Sequence, residues 1–149
     1  MWGMDDFMQM AMDQAAAAAR RGEVPVGAVL VRAGQIIAAD GNRVEELHDP
    51  TAHAEMQVIR AGAGLLGQTR LEECDLYVTL EPCPMCAAAI AHARLRRLYY
   101  GAYDPKGGGV EHGARVFERS TCHHRPEIVG GLREAENAGL LQDFFRQRR

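Results

Sequence analysis

An apolar strand that runs without a spacer into two cysteines and a helix is the feature that most limits how this chain can fold. Cys74-Asp75-Leu76-Tyr77-Val78-Thr79-Leu80 is rich in aliphatic, aromatic and β-branched residues, the composition of a buried strand. Glu81-Pro82-Cys83-Pro84-Met85-Cys86 follows at once. Pro84 suits the first turn of a helix, where the N–H it lacks would have no partner, and the helix can continue through Ala93. Cysteines at positions i and i+3 of a helix start share one face, and the positive helix end favours their thiolates. Thiolates at this spacing are ligands for zinc or another soft metal.

The remaining elements can be read around that junction. Asp5 can cap a first helix in which Phe7, Met8, Ala11, Met12 and Ala15 recur at helical spacing, with Gly22 as its stop. Val24 to Val31 reads as a buried strand, Ala33-Gly34 as a turn, and Gln35 to Ala39 as the returning strand of a hairpin. A polar loop from Gly41 to Pro50 leads to a second helix, capped by Asp49 or Thr51, that carries His53, Ala54 and Glu55 and dissolves at Gly62 and Gly64. Beyond the cysteines, Arg97 to Gly101 is a strand. Asp104 to Gly113 is rich in glycine and is expected to be mobile, Val116-Phe117 to begin a short helix, and Glu127 to Gly130 to be the last strand. Leu132 to Arg146 is amphipathic, with Leu140, Leu141, Phe144 and Phe145 expected inward. Alternating strands and helices after an opening hairpin predict a three-layer α/β/α sandwich around a mixed, mostly parallel five-stranded sheet, formed by residues 1–149 as one domain. Ligands of such sheets bind beyond the carboxyl ends of strands, where Cys83 lies.

Composition narrows the chemistry. No run approaches the roughly 18 apolar residues of a membrane span, and the start Met1-Trp2-Gly3-Met4-Asp5-Asp6 is acidic where a secretion signal would be basic, so a cytoplasmic protein is expected. In that compartment four cysteines point to metal or redox chemistry before disulfides. The net charge of −3 carries no sign of a polyanionic partner. Lys106 is the only lysine, and arginines gather at residues 94–97 and 146–149, as either solvated faces or phosphate contacts.

His53-Ala54-Glu55 supplies what the cysteines lack. Side chains of a first helical turn lean toward the helix start, so His53 and Glu55 can reach one point in front of it. His53, Cys83 and Cys86 make three ligands, and three protein ligands leave a fourth tetrahedral position for water, as catalytic zinc requires. Zinc brings that water's pKa to about 7, so hydroxide exists at neutral pH, and Glu55 is free to act as general acid and base. Two other readings exist. A closed structural site would take a fourth ligand from Cys74, Cys122 or His92, and a redox C-x-x-C pair would leave His53 and Glu55 without a role.

These residues carry a resemblance. His53-Ala54-Glu55 with Pro82-Cys83-Pro84-Met85-Cys86 matches the H-x-E…P-C-x-x-C signature of the zinc-dependent nucleobase deaminases. Over nearly its whole length the chain is similar to the bacterial tRNA-specific adenosine deaminases. The matching stretches include Glu23 to Val29, Gly41-Asn42-Arg43, Leu76 to Cys86, Gly101 to Asp104, His124-Arg125 and Leu140 to Arg149. The resemblance implies a zinc-dependent homodimer, without an organic cofactor, that converts adenosine to inosine at the wobble position of a tRNA anticodon. It implies one zinc per chain with water or hydroxide as fourth ligand. It also implies that Asn42 hydrogen-bonds the flipped base, that Val26 and Ala54 line its pocket, and that Asp104, Lys106, Phe145 and Arg148 approach the surrounding RNA. Gly107 to Gly113 departs from the family's usual run, and Glu111 is an unusual neighbour for phosphates. The alternative is a free-base deaminase acting on guanine or cytosine with the same zinc chemistry.

Overall fold

In the computed structural model, which describes residues 1–148, the opening hairpin sits beside three parallel strands. The strands are β1 (Gly27–Arg32), β2 (Gln35–Gly41), β3 (Cys74–Leu80), β4 (Arg97–Ala102) and β5 (Glu127–Val129), in the spatial order β2-β1-β3-β4-β5. β1 is antiparallel to both β2 and β3, whereas β3, β4 and β5 are parallel. Every strand except β1 therefore points the same way, and the predicted mixed, mostly parallel α/β/α arrangement is found. The hairpin closes at Ala33 and Gly34, both left-handed, the geometry whose twist matches the paired strands.

Two apolar layers follow from the period-two alternation of the strands. Leu30, Leu76, Val78, Leu98 and Tyr100 face one side, where they pack with Val58 of α3 (Ala54–Leu66) and Ile90 of α4 (Pro84–Ala93). Val29, Val31, Tyr77 and Tyr99 face the other, against Phe7, Met8 and Ala11 of α1 (Met4–Arg20) and beside Leu140 of α5 (Glu134–Gln147). Tyr77 and Tyr99 stack across β3 and β4 with ring centroids 4.3 Å apart. Burying an aliphatic side chain of this size stabilises by about 1.5–3 kcal/mol, so each layer anchors its helices firmly.

Several boundaries differ from those the sequence suggests. Asp5 does not cap α1. The helix begins after Gly3, whose N–H donates to Asp6 Oδ2 at 2.8 Å. Residues 24–26 precede β1 instead of belonging to it. The expected loop 41–50 contains a one-turn helix, α2 (Val44–Leu47). Neither Asp49 nor Thr51 caps α3; His53 occupies the N-cap, and Pro50 lies outside the helix. Local turn chemistry explains the shift, because Asp49 Oδ1 instead accepts the N–H and hydroxyl of Thr51 at 2.8 and 2.7 Å. In α5, Phe144 is buried but Phe145 is 48% exposed, against the inward position expected for both. The terminal arginine cluster extends to Arg149, which lies outside the described residues.

Candidate active site

Two helices begin at the carboxyl end of β3 with the same local geometry. His53 is the N-cap of α3 (φ −70°, ψ 155°), and Cys83 is the N-cap of α4 (φ −69°, ψ 170°). An extended N-cap residue projects its side chain ahead of its own helix. The two helix starts converge, so His53 Nδ1 lies 3.6 Å from Cys83 Sγ and 3.4 Å from Cys86 Sγ. A tetrahedral zinc with bonds of about 2.3 Å to sulfur and about 2.0–2.1 Å to nitrogen sets its S···N edges at about 3.5–3.6 Å. The cluster is thus the right size and donor set for such an ion. Among the described residues it is the one group of histidine, cysteine or carboxylate ligands close enough to share a metal.

Cys74, Cys122 and His92 stay outside this group. Cys74 starts β3 at the opposite end of the strand, Cys122 donates to the carbonyl of His124 at 3.2 Å, and His92 is exposed near the end of α4. None of the three candidates for a closed four-ligand arrangement therefore joins the group, and among the described residues no other histidine, cysteine or carboxylate does.

Electrostatics within the cluster are strongly graded. The neighbouring Cys86, with help from His53, brings the Cys83 thiol down to about 4 despite burial. The Cys86 thiol moves up for the complementary reason, through Cys83 and its own full burial. The His53 imidazole is raised, chiefly by its bond to Cys83. Glu55, one residue into α3 and 4% exposed, is pushed up to about 7, mainly by burial. A carboxyl group titrating near neutrality can both accept and release a proton at working pH.

The cluster opens into a cavity of about 700 Å³, within the usual size of small-ligand sites. Val26, Asn42, His53, Glu55, Cys83, Asp104 and Arg148 all line it. Asn42 is buried, and its Oδ1 accepts the backbone N–H of Ala54 at 2.7 Å. Only oxygen can accept that bond, which fixes the amide orientation and leaves Nδ2 as a donor for the cavity. Ala54 touches the site through this backbone bond, and its methyl group belongs to the core. Lys106 and Phe145 lie outside the cavity lining, on exposed positions. Phe144, expected only to pack inward, lines the cavity in place of Phe145, with the Arg148 guanidinium 4.1 Å from its ring centroid.

Two buried carboxylates take on roles that the sequence does not announce, because nearly all their partners are main-chain groups far along the chain. Glu23 accepts the N–H groups of Glu45 and Glu46 at 3.0 and 2.9 Å, fixing α2 beside Asn42. Glu81 does the same for the glycine-rich segment expected to be mobile. Its Oε1 accepts the Asp104 N–H at 3.0 Å, and its Oε2 accepts those of Val110, Glu111 and His112 at 3.2, 2.9 and 3.0 Å. His112 Nδ1 completes the set at 2.8 Å from Oε1. Burial alone would raise the Glu81 pKa, but these donors outweigh it and hold the carboxyl below its ordinary range. The carboxylate is therefore an acceptor, and His112 Nδ1 carries the hydrogen. Glu111 stays at the surface and receives the hydroxyl of Tyr100.

A fold with paired helix starts at one strand end, one imidazole and two thiols in ligand range of each other and a carboxyl group poised near neutrality defines a deaminase of the cytidine deaminase-like type. The model of the MafB19-like deaminases matches residues 3–149, and the chain belongs to that family. It is 59% identical to the tRNA-specific adenosine deaminase of Agrobacterium fabrum over 96% of this chain and 94% of that protein. A solved chain from a study of A-to-I editing by tRNA:A34 deaminases at the wobble position of transfer RNA superposes with a TM-score of 0.89. It is 60% identical and covers 91% of this chain and 98% of its own. A guanine deaminase of Bacillus subtilis is 40% identical with a TM-score of 0.66, covering 68% of this chain and 66% of that one.

Proposed function

We infer that this protein deaminates adenosine to inosine at the wobble position of a tRNA anticodon. The observation that carries the chemistry is the His53, Cys83 and Cys86 cluster facing a cavity with Glu55 at its edge. The choice of substrate is supported by the likeness to the Agrobacterium enzyme along almost the full length of both chains.

The donor set of one imidazole and two thiols fits zinc, one ion per chain. Bound there, zinc would polarise a water molecule and bring its pKa to about 7. The remaining steps belong to the chain. Asn42 Nδ2 donates to the purine ring, and Val26 packs against the base. Glu55 takes a proton from the attacking water as the new C6–O bond forms and delivers it to N1. It then carries the proton of the new C6 hydroxyl to the amino group, so that the C6–N bond breaks, the C6 carbonyl forms and ammonia leaves. An anticodon loop is already single-stranded, so turning the base into the cavity costs less than it would in a duplex. Asp104 and Arg148 at the cavity, with Lys106 and Phe145 beyond it, contact the flanking nucleotides. A homodimer in the cytoplasm is the working state this reading carries.

The test is inosine formation in an anticodon stem-loop with adenosine at the wobble position, against the same stem-loop carrying guanosine there. Ammonia release from free guanine, adenine and cytosine is measured in parallel. Turnover of free guanine alone would replace this reading with the activity named for the Bacillus guanine deaminase.

A further inference from the structure

A buried carboxylate two residues before a metal-ligand cysteine invites a role in proton transfer, but the bonds made by Glu81 exclude it. A carboxylate offers about four lone-pair sites. Glu81 fills its sites with five donors, and its side chain has no exposure to solvent. No site remains for a substrate or a moving proton. All five donors come from one segment, Asp104 to His112, whose near end lies at the cavity.

The packing agrees. Gly109 donates its N–H to the carbonyl of Pro82 at 2.7 Å, so the segment also grips the backbone next to Cys83. A Cβ at Gly108 would sit 2.5 Å from Glu81 Oε2, and one at Gly109 would sit 2.5 Å from Pro84 N. The glycines are there so that main chain can lie directly on the carboxylate and the start of α4. Asp104 is held twice, by its own N–H on Glu81 and by its Oδ1, which accepts the Gly107 N–H at 2.9 Å.

We propose that Glu81 is a positioning residue that fixes the Asp104–His112 segment as one wall of the substrate cavity, tying substrate binding to the strand end that bears Cys83. The inference rests on the deaminase reading of the cavity. Asp104 and Gly107 bring the segment to the cavity, and Glu81, which borders the same cavity with its carboxylate fully occupied, acts on substrate through them. His112, half-buried, is the outer member of the same clamp.

Glu81→Gln keeps the shape but turns one acceptor into an NH2 donor facing N–H groups. The experiment compares wild type with Glu81→Gln and with His112→Ala, which removes one donor of the five. It reads amide hydrogen exchange, metal content per chain, and KM and kcat on whichever substrate the wild type turns over best, stem-loop or free base. For Glu81→Gln, exchange at Asp104, Val110, Glu111 and His112 should quicken about tenfold or more while the sheet amides are unchanged. KM should rise about tenfold with kcat within about threefold. His112→Ala should move both readouts the same way by about threefold. Unchanged exchange in that segment, or quickened exchange with unchanged KM, overturns the proposal. If Glu81→Gln loses its metal or fails to fold, an unaltered KM in His112→Ala overturns it instead. Failure of the wild type on the stem-loop bears on the choice of substrate and leaves the exchange result to judge Glu81.

Discussion

Asn42 Oδ1 accepts the backbone N–H of Ala54 at 2.7 Å, which joins the end of the hairpin to the first turn of the helix that carries Glu55. One side chain thereby does two jobs, satisfying a helix-start N–H with its oxygen and offering its nitrogen to the cavity.

Those jobs can be separated. Asn42→Ala leaves the Ala54 N–H unpaired and should cost about 1–3 kcal/mol in denaturant unfolding. Asn42→Asp restores the acceptor and should recover most of that loss. Both variants lack the donor, so kcat/KM should fall in both by about 2 kcal/mol of transition-state stabilisation, some thirtyfold. Recovery of activity in Asn42→Asp would refute the role of Nδ2.

Glu55→Gln keeps the volume of the side chain and removes its proton chemistry. Turnover should drop by about 10²–10⁴-fold, while metal analysis still finds about one ion per chain. An ordinary kcat in the Glu55→Gln variant would remove Glu55 from the mechanism.

Cys83→Ser and Cys86→Ser should instead lose the metal, because a hydroxyl is a poor substitute for thiolate. Activity and bound metal should vanish together in both variants, and the melting temperature measured with added zinc should no longer rise above that of the metal-free protein.

The metal-free protein should also show an unusual pH dependence. Folding raises the Glu55 pKa from 4.5 to about 7 through burial, so the folded state binds the proton more tightly than the unfolded chain. The contribution of this group to stability is therefore best below pH 4.5 and declines as pH rises toward 7, by on the order of 3 kcal/mol in total. Glu55→Gln abolishes the titration, so its melting temperature relative to wild type should climb across that window. A constant difference between pH 5 and 8 would contradict the burial argument.

What could be read from the sequence was whatever obeys a local period or spacing. The layers of the sheet follow from alternating residues such as Val29 and Leu30, and the ligand triad from H-x-E and C-x-x-C at helix starts. Boundaries failed where two local signals competed, as at Asp49 and Thr51, which bond to each other and leave the cap to His53. The inward position of Phe145 failed because helical spacing admits two adjacent aromatics to the same stripe, and packing accepted only Phe144. The clamps at Glu23 and Glu81 were illegible for a different reason. Apart from the His112 ring, their partners are backbone N–H groups 22 to 31 residues away, and a main-chain donor leaves no signature in side-chain identity.

The chain order of the site separates its parts along the sequence. His53, Cys83 and Cys86 all precede β4, β5 and α5, whereas every partner of Glu81 follows them. The ligand set thus comes from the portion of the chain that builds β1, β2 and β3, and the segment gripped by Glu81 from the portion beyond β4. Metal ligands and cavity border are contributions of successive stretches of one chain.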